Sequence, residues 1–198
     1  MPQVDLPTVL SFVFVAITAI TFHEAAHGYV AMRCGDDTAK KRGRVTLNPI
    51  AHIHPIGTIL FPAILYLIHA PFLFGYAKPV PVSWQNLRRP KRDMVLVAAA
   101  GPAMNFLLAA CFAAVALGLG LADIAAPPPW LLNTLALGVM FNLWIGLFNL
   151  IPIPPLDGSK VVAGFLPDSW ARRYVGFRRP LVFKEPPPKD PPGPVVNL

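Results

Sequence analysis

The sequence predicts an all-α integral membrane protein with three to four transmembrane helices, a re-entrant hydrophobic segment and short β-structure near the cytoplasmic face. Three observations lead to this fold class. Of the 198 residues, 55% are hydrophobic and only 14% are charged, whereas soluble proteins are roughly a quarter charged. The mean hydropathy is +0.53. The uncharged residues form long runs with basic residues clustered beside them, which is typical of helices that lie in a bilayer.

Four uncharged runs set the number of spans, since a helix needs about 20 apolar residues to cross the hydrocarbon core. They cover residues 6–23, 45–77, 94–122 and 124–156. The first run has neither a basic segment before it nor a small-residue cleavage site. We therefore expect it to remain as a helix rather than to act as a cleaved signal peptide.

Three basic clusters predict how the spans are oriented, because Lys and Arg favour the cytoplasmic side of a membrane. The members are Arg33, Lys40, Lys41, Arg42 and Arg44; Arg88, Arg89, Lys91 and Arg92; and Arg172, Arg173, Arg178 and Arg179. With all three in the cytoplasm, residues 6–32 run inward, 94–121 outward and 130–151 inward. Residues 59–75 then cannot cross, and the breaks at Pro62, His69 and Pro71 favour a re-entrant excursion.

The net charge of +7 favours contact with the lipid bilayer rather than with nucleic acid. Because the Lys and Arg residues lie beside apolar segments, they are positioned to contact anionic lipid, and we expect no nucleic-acid partner. Cys34 and Cys111 are too few for a disulfide framework.

A metal-binding pattern, His23-Glu24-Ala25-Ala26-His27, interrupts the first apolar run. On a helix, positions i and i+4 share one face, so the two imidazoles can bind one zinc ion while Glu24 serves as a general base. The alternative is a helix with two incidental histidines and a buried Glu. An unpaired carboxylate in hydrocarbon costs roughly 2.5 kcal/mol or more, which favours the functional interpretation.

A third ligand is needed for a catalytic zinc site with an open position, and Asp157 is the candidate. It is the only acidic residue in 124–167 and follows the last long apolar run. Pro152, Pro154 and Pro155 cannot continue a regular helix, so the chain must unwind there and line a polar cavity. The alternative for Asp157-Gly158 is an ordinary turn beyond a helix.

Several motifs in this order resemble the site-2 protease family of intramembrane zinc metalloproteases, in its short form without a PDZ domain. The resemblance covers about residues 7–170, and its motifs are residues 22–27, 43–52, 56–62, 75–82, 101–105 and 149–158. It implies that His23, His27 and Asp157 bind one Zn²⁺ per chain and that Glu24 is the catalytic acid/base. Asn149 is then expected near the reacting carbonyl.

Other residues of these motifs have expected roles in shaping the site or in binding substrate. Gly101 and Asn105 favour close helix packing beside the metal, and Pro152, Pro154 and Gly158 shape the chain around Asp157. Residues 43–48 predict a short strand because Val45 and Thr46 are β-branched. An exposed strand edge could hold an extended substrate, formed by Val45, Thr46, Leu47 and Asn48, or alternatively by residues 75–82.

We therefore expect a metalloprotease domain over residues 1–170 and a basic, Pro-rich, disordered tail over 171–198. The expected activity is that of a zinc endopeptidase acting on membrane proteins with a transmembrane segment. It would be a multi-pass protein of a prokaryotic cell membrane, with its active site toward the cytoplasm. The alternatives are a catalytically impaired zinc-binding scaffold that captures transmembrane helices and, less favoured, a metal transporter. Assembly into a homo-oligomer stays open.

Overall fold

The structure is a computed structural model that describes residues 6–68, 75–121 and 127–175. Its α-helices in chain order are α1 (Leu6–Arg33), α2 (Thr38–Lys41), α3 (Phe61–Leu67), α4 (Pro90–Leu121), α5 (Pro129–Leu150), α6 (Asp157–Phe165) and α7 (Asp168–Val175). A π-helical segment, Pro55–Leu60, leads into α3, and short 3-10 turns occupy Pro49–Ala51 and Trp84–Asn86.

Helices α1, α4 and α5, with 28, 32 and 22 residues, are each long and apolar enough to cross a membrane, as the sequence predicts for these three segments. Even the shortest measures about 33 Å at 1.5 Å per residue, enough to cross a hydrocarbon core of about 30 Å. Their outer faces remain apolar: Phe14, Leu117 and Trp144 are each more than half exposed. Such surfaces suit a molecule whose solvent is lipid.

Polar and small residues hold the three long helices together. Ser11 on α1 and Thr134 on α5 are buried and share a hydrogen bond of 2.6 Å between their hydroxyls. Gly138 of α5 packs on the ring of Phe112 of α4, and a Cβ on this glycine would lie 2.5–2.8 Å from ring atoms. Small residues of this kind let helices approach closely where the hydrophobic effect gives no preference between protein and lipid.

The segment expected to re-enter the membrane does not form a fourth long helix among the residues that the structure describes. Helix α3 has seven residues, or about 10 Å of rise, which is too short to cross. Residues 69–74, including His69 and Pro71, lie outside the described part of the chain.

The short β-structure is not found in the described ranges, and within residues 43–48 the chain has a turn at 43 and bends at 45–47 instead. Local hydrogen bonds account for the difference. His52 Nε2 donates to the Thr46 carbonyl at 3.0 Å, and the Asn48 amide donates to Thr46 Oγ1 at 3.1 Å. Asn48 Oδ1 in turn accepts from the Ile50 amide and caps the following turn. Backbone groups satisfied in this way do not need a neighbouring strand.

The C-terminal boundary at residue 170 lies within a helix, since α7 continues to Val175. Residues 176–198, which hold most of the expected tail, are outside the described part. The disorder predicted for them stays a prediction.

Asp36 ties the loop after α1 to the segment that precedes α4. Its carboxylate is fully buried and accepts from the Thr38 amide and hydroxyl, the Ser83 amide at 2.6 Å and Asn86 Nδ2 at 3.0 Å. Burial by itself would raise the pKa of Asp36, but the hydrogen bonds outweigh it and hold the pKa below its usual value.

We expect Asp36→Asn to lower the stability by about 1–3 kcal/mol near neutral pH, because the amide replaces an acceptor of several hydrogen bonds. A group whose folded pKa is lowered stabilises the protein above its unfolded pKa of about 3.9 and loses that contribution as the pH falls through the folded value. Thermal unfolding of purified protein in detergent, followed by circular dichroism, should therefore separate variant and wild type at pH 7 and bring them closer at pH 3. Asp37→Asn is the control, because Asp37 is exposed. An equal difference at both pH values would refute this role of the charge.

Candidate metal centre

Two histidines of α1 and the first residue of α6 meet in the interior of the molecule. His23 Nε2 and His27 Nε2 lie 3.0 Å apart, and Asp157 Oδ2 lies 3.2 Å from the first and 3.1 Å from the second. All three side chains are buried. The structure thus brings together the three residues that the sequence predicts as metal ligands.

The other nitrogen of each imidazole is engaged by α4. His27 Nδ1 lies 2.6 Å from the carbonyl oxygen of Val97, and His23 Nδ1 lies 2.6 Å from Oδ1 of Asn105. A carbonyl oxygen can only accept, so Nδ1 carries the hydrogen in both rings. In a neutral imidazole the Nε2 atom then presents a lone pair, and both lone pairs are directed at the same small space as Asp157 Oδ2.

This arrangement fits a zinc ion. Two imidazole nitrogens and a carboxylate oxygen are a donor set that zinc prefers, and tetrahedral coordination at about 2.0 Å would place ligand atoms about 3.3 Å apart, close to the 3.0–3.2 Å observed. Without a cation, three lone pairs would face one another in a buried site. Metal-binding histidines are usually supported by a hydrogen bond that the other ring nitrogen donates, as both Nδ1 atoms do here.

Gly101 of α4 provides the room for the two rings. A Cβ at this position would contact His27 Nε2 and would lie 2.6 Å from Cε1 and Nε2 of His23. Pro102, which follows it, has no amide hydrogen to donate within the helix. Gly101 therefore has a steric function at the metal site, more specific than the close helix packing expected from the sequence.

Asn105 orients His23 and is itself fixed from two sides. Its Nδ2 donates to the Ala19 carbonyl at 3.3 Å and to Oδ1 of Asn142 at 3.0 Å. Asn142 Nδ2 donates to the Gly138 carbonyl at 2.8 Å, and both amide side chains are fully buried. This network joins α1, α4 and α5 and leaves Asn105 Oδ1 facing the histidine.

Asp157 is positioned by the irregular link that contains Pro152 and Pro154. α5 ends at Leu150, and α6 begins at Asp157. Gly158 allows α6 to approach the end of α5, since a Cβ there would contact the Leu150 carbonyl oxygen. Lys160 Nζ lies 2.8 Å from Asp157 Oδ1. One carboxylate oxygen is thus paired with a cation, and the other faces the histidines.

Glu24 is half-buried on α1 between the two ligands. Its Oε2 accepts a hydrogen bond of 2.8 Å from the backbone amide of Val80. Val80 belongs to the 75–82 motif, so this motif contacts the site. The contact is a hydrogen bond from a backbone amide to the Glu24 carboxylate, and residues 75–82 do not form the β-strand considered as an alternative in the sequence analysis.

Asn149 is not brought to the metal ligands by any hydrogen bond in the described ranges. It is half-buried, and its Nδ2 donates to the Ile145 carbonyl of its own helix at 3.0 Å. Its role near the reacting carbonyl stays a prediction.

A groove of about 620 Å³ lies on the face of α1 adjacent to the one that carries the histidines. Three of the four residues expected to bind substrate line it, Val45, Thr46 and Leu47, whereas Asn48 caps the next turn. The other walls come from α1 and α4, namely Phe22, Ala25, Ala26, Tyr29, Val30, Ala100, Ala103, Met104 and Leu107. The groove is almost entirely apolar, which suits hydrophobic side chains.

The sequence interpretation missed four contributors to the site: the Val80 amide, the Val97 carbonyl, Asn142 and Lys160. Backbone amides and carbonyls leave no signal in a sequence. Asn142 did carry a signal, because an amide within an apolar helix needs a partner, and Lys160 lies one helical turn after Asp157.

Sequence comparison provides relatives for this arrangement. "Putative zinc metalloprotease YwhC" of Bacillus subtilis is 42% identical over 158 residues, which cover 78% of this chain and 68% of the relative. The chain belongs to the site-2 protease family.

Two further proteins similar to this chain are both named "Putative zinc metalloprotease Rip2". The one from Mycolicibacterium smegmatis is 32% identical over 144 residues, 72% of this chain and 52% of the relative. The one from the Erdman strain of Mycobacterium tuberculosis is 32% identical over 188 residues, 90% of this chain and 68% of the relative. The chain thus spans between about half and two thirds of their length. No family model and no solved structure matches it.

We expect Gly101→Ala to weaken zinc binding at least about tenfold, the lower end of the range found when the support of a metal ligand is lost. The added methyl group would occupy the space of the two imidazoles. Zinc content after dialysis against a graded chelator, measured by mass spectrometry, checks this. Gly118→Ala is the matched control on the same helix, since a Cβ there meets nothing within 4 Å. Equal zinc retention by the two variants would contradict the steric function.

Asn105→Ala should also weaken zinc binding, by about 10–100-fold, because His23 would lose the acceptor that fixes its ring. The same chelator titration measures the effect. Asn149→Ala is the matched amide control, because its side chain bonds its own helix and should leave zinc affinity unchanged. A loss of affinity in Asn149→Ala equal to that in Asn105→Ala would show that the assignment of the supporting amide is wrong.

Proposed function

We propose that this protein is a zinc-dependent endopeptidase that hydrolyses peptide bonds in or near transmembrane segments of membrane proteins. The observation that carries the proposal is the convergence of two imidazole nitrogens and one carboxylate oxygen beside Glu24, within a bundle of three helices apolar enough to span a membrane. The names of the family relatives as zinc metalloproteases support the same reaction class.

Each residue of the site has a chemical task in peptide hydrolysis. His23, His27 and Asp157 would hold one Zn²⁺ per chain and leave a fourth position open. Bound there, zinc supplies a Lewis acid that polarises the carbonyl and makes water a stronger nucleophile near neutral pH. Glu24 accepts the proton of the attacking water and returns it to the leaving amine. Asn149 would assist at the reacting carbonyl after its amide releases the Ile145 carbonyl.

The groove beside α1 is proposed to receive the substrate. Its apolar walls match the side chains of a transmembrane segment, and Val45, Thr46 and Leu47 form one border. A helical segment hides its peptide bonds within its own hydrogen bonds, so it must unwind before an extended backbone can reach the site. The partners would therefore be membrane proteins with a transmembrane segment, in contact with the bilayer.

We place the site near the cytoplasmic face of a prokaryotic cell membrane. His27 precedes the end of α1 at Arg33 by six residues, or about 9 Å of rise. Basic residues follow that helix end and also precede α4, and such residues favour the cytoplasmic side. The relatives are bacterial.

We expect Glu24→Gln to reduce cleavage about 10²–10⁴-fold, because the amide cannot accept the proton. Zinc should be retained, since Glu24 is outside the group of three converging ligands. The assay is cleavage of a tagged single-span protein in liposomes, followed on gels, with zinc measured in the same preparations.

Two controls make this assay decisive. Asp157→Ala should lose both zinc and cleavage. Cleavage by the wild type should stop with a chelator and return with added zinc. A Glu24→Gln variant that cuts as fast as the wild type would exclude Glu24 as the base. A wild type that binds zinc but cuts no substrate would favour a scaffold that captures transmembrane helices.

A further inference from the structure

Residues 75–83, which we name the strap, connect the catalytic carboxylate to the rest of the fold by their backbone amides. The Tyr76 amide donates to the Gly57 carbonyl at 3.0 Å, and the Lys78 amide donates to the His52 carbonyl at 2.9 Å. The Val80 amide donates to Glu24 Oε2 at 2.8 Å. Inward bonds at every second residue are the pattern of an extended chain with one edge against the protein.

The opposite edge of the strap is poor in hydrogen-bond donors. Successive residues of an extended chain face opposite sides, so Ala77, Pro79 and Pro81 face away from Glu24. Proline has no amide hydrogen, which leaves Ala77 with the only donor among these three. A substrate strand could pair with such an edge only incompletely. The strap is therefore better suited to hold Glu24 than to capture substrate by strand pairing.

Both ends of the strap are fixed. On one side Thr58 Oγ1 donates to the Tyr76 carbonyl at 2.9 Å. On the other the Ser83 amide donates to the buried Asp36 carboxylate at 2.6 Å. Val80 also packs on α1, since its Cγ1 lies 3.2 Å from where a Cβ of Gly28 would be. The Val80 amide is thus held in place independently of its bond to Glu24.

We propose that the Val80 amide is a positioning group for Glu24: it fixes Oε2 of the carboxylate and leaves Oε1 to exchange protons with water and the leaving amine. This inference rests on the proposed function. Among the described residues no donor is bonded to Oε1. A free Glu side chain has several rotamers, and a misplacement of about 1 Å can cost on the order of 10²-fold in rate. The strap removes that freedom with a single hydrogen bond.

The decisive variant is Val80→Pro, which removes this amide hydrogen and keeps an apolar residue. We expect kcat to fall about 10–100-fold with KM and zinc content unchanged. Val80→Ala keeps the amide and loses only side-chain packing, so its kcat should fall less than that of Val80→Pro. Ala77→Pro is the matched proline control, because it removes an outward-facing amide from the same strap. The substrate is the tagged single-span protein in liposomes.

The outcomes separate the two proposals. An inactive wild type would overturn both the protease and the positioning role. An active wild type with inactive Glu24→Gln, but with Val80→Pro equal to Val80→Ala or faster, would overturn the positioning role alone. A measurement that does not depend on folding of the proline variant is hydrogen exchange of the strap in wild type and Glu24→Ala. We expect the Val80 amide to be protected in the first and to exchange faster in the second; an unprotected amide in the wild type refutes the inference.

Discussion

The structure depends on a requirement set by its surroundings: three lone pairs of buried ligand atoms must be held together inside an apolar bundle. In such a medium an unpaired polar group is costly. Each of the three side chains is therefore engaged by a second group, His27 by the Val97 carbonyl, His23 by Asn105, and Asp157 by Lys160. The same bonds that reduce the cost also fix the direction of each lone pair, so that stability and metal geometry have one origin.

Helix α4 provides most of the contacts that position the two imidazoles, although it supplies no candidate metal ligand. Gly101 gives space to the imidazoles, Val97 and Asn105 accept from them, and Asn142 of α5 steadies Asn105. The candidate ligands themselves come from distant parts of the sequence, on α1 and α6. A site divided in this way requires α1, α4 and α5 to pack in one arrangement, and the small residues at the α4–α5 contact allow that approach.

A second line of contacts leads from the surface loops to the chemistry. Asp36 holds Ser83, the strap continues to Val80, and Val80 reaches Glu24. The metal ligands and the base are thus supported by different parts of the fold: helices for the first, and an irregular proline-containing segment for the second. Prolines at 79 and 81 limit pairing along the free edge of that segment, which keeps it committed to α1.

The sequence by itself predicted three helices long and apolar enough to span a membrane, and it predicted the group His23, His27 and Asp157 that the structure brings together. The length of an apolar run decides whether a helix can cross a bilayer, and i, i+4 spacing places two histidines on one helix face, so both features can be read locally. The sequence did not determine the conformation of residues 43–48, where His52 and Thr46 side chains satisfy groups that a strand would have paired. Nor did it assign a partner to Asn149 or reveal the Val80 amide. Only the tertiary structure decided these points. Hydrogen bonds to backbone groups and between residues distant in the sequence depend on how helices and loops pack, and the type of a residue does not specify that packing.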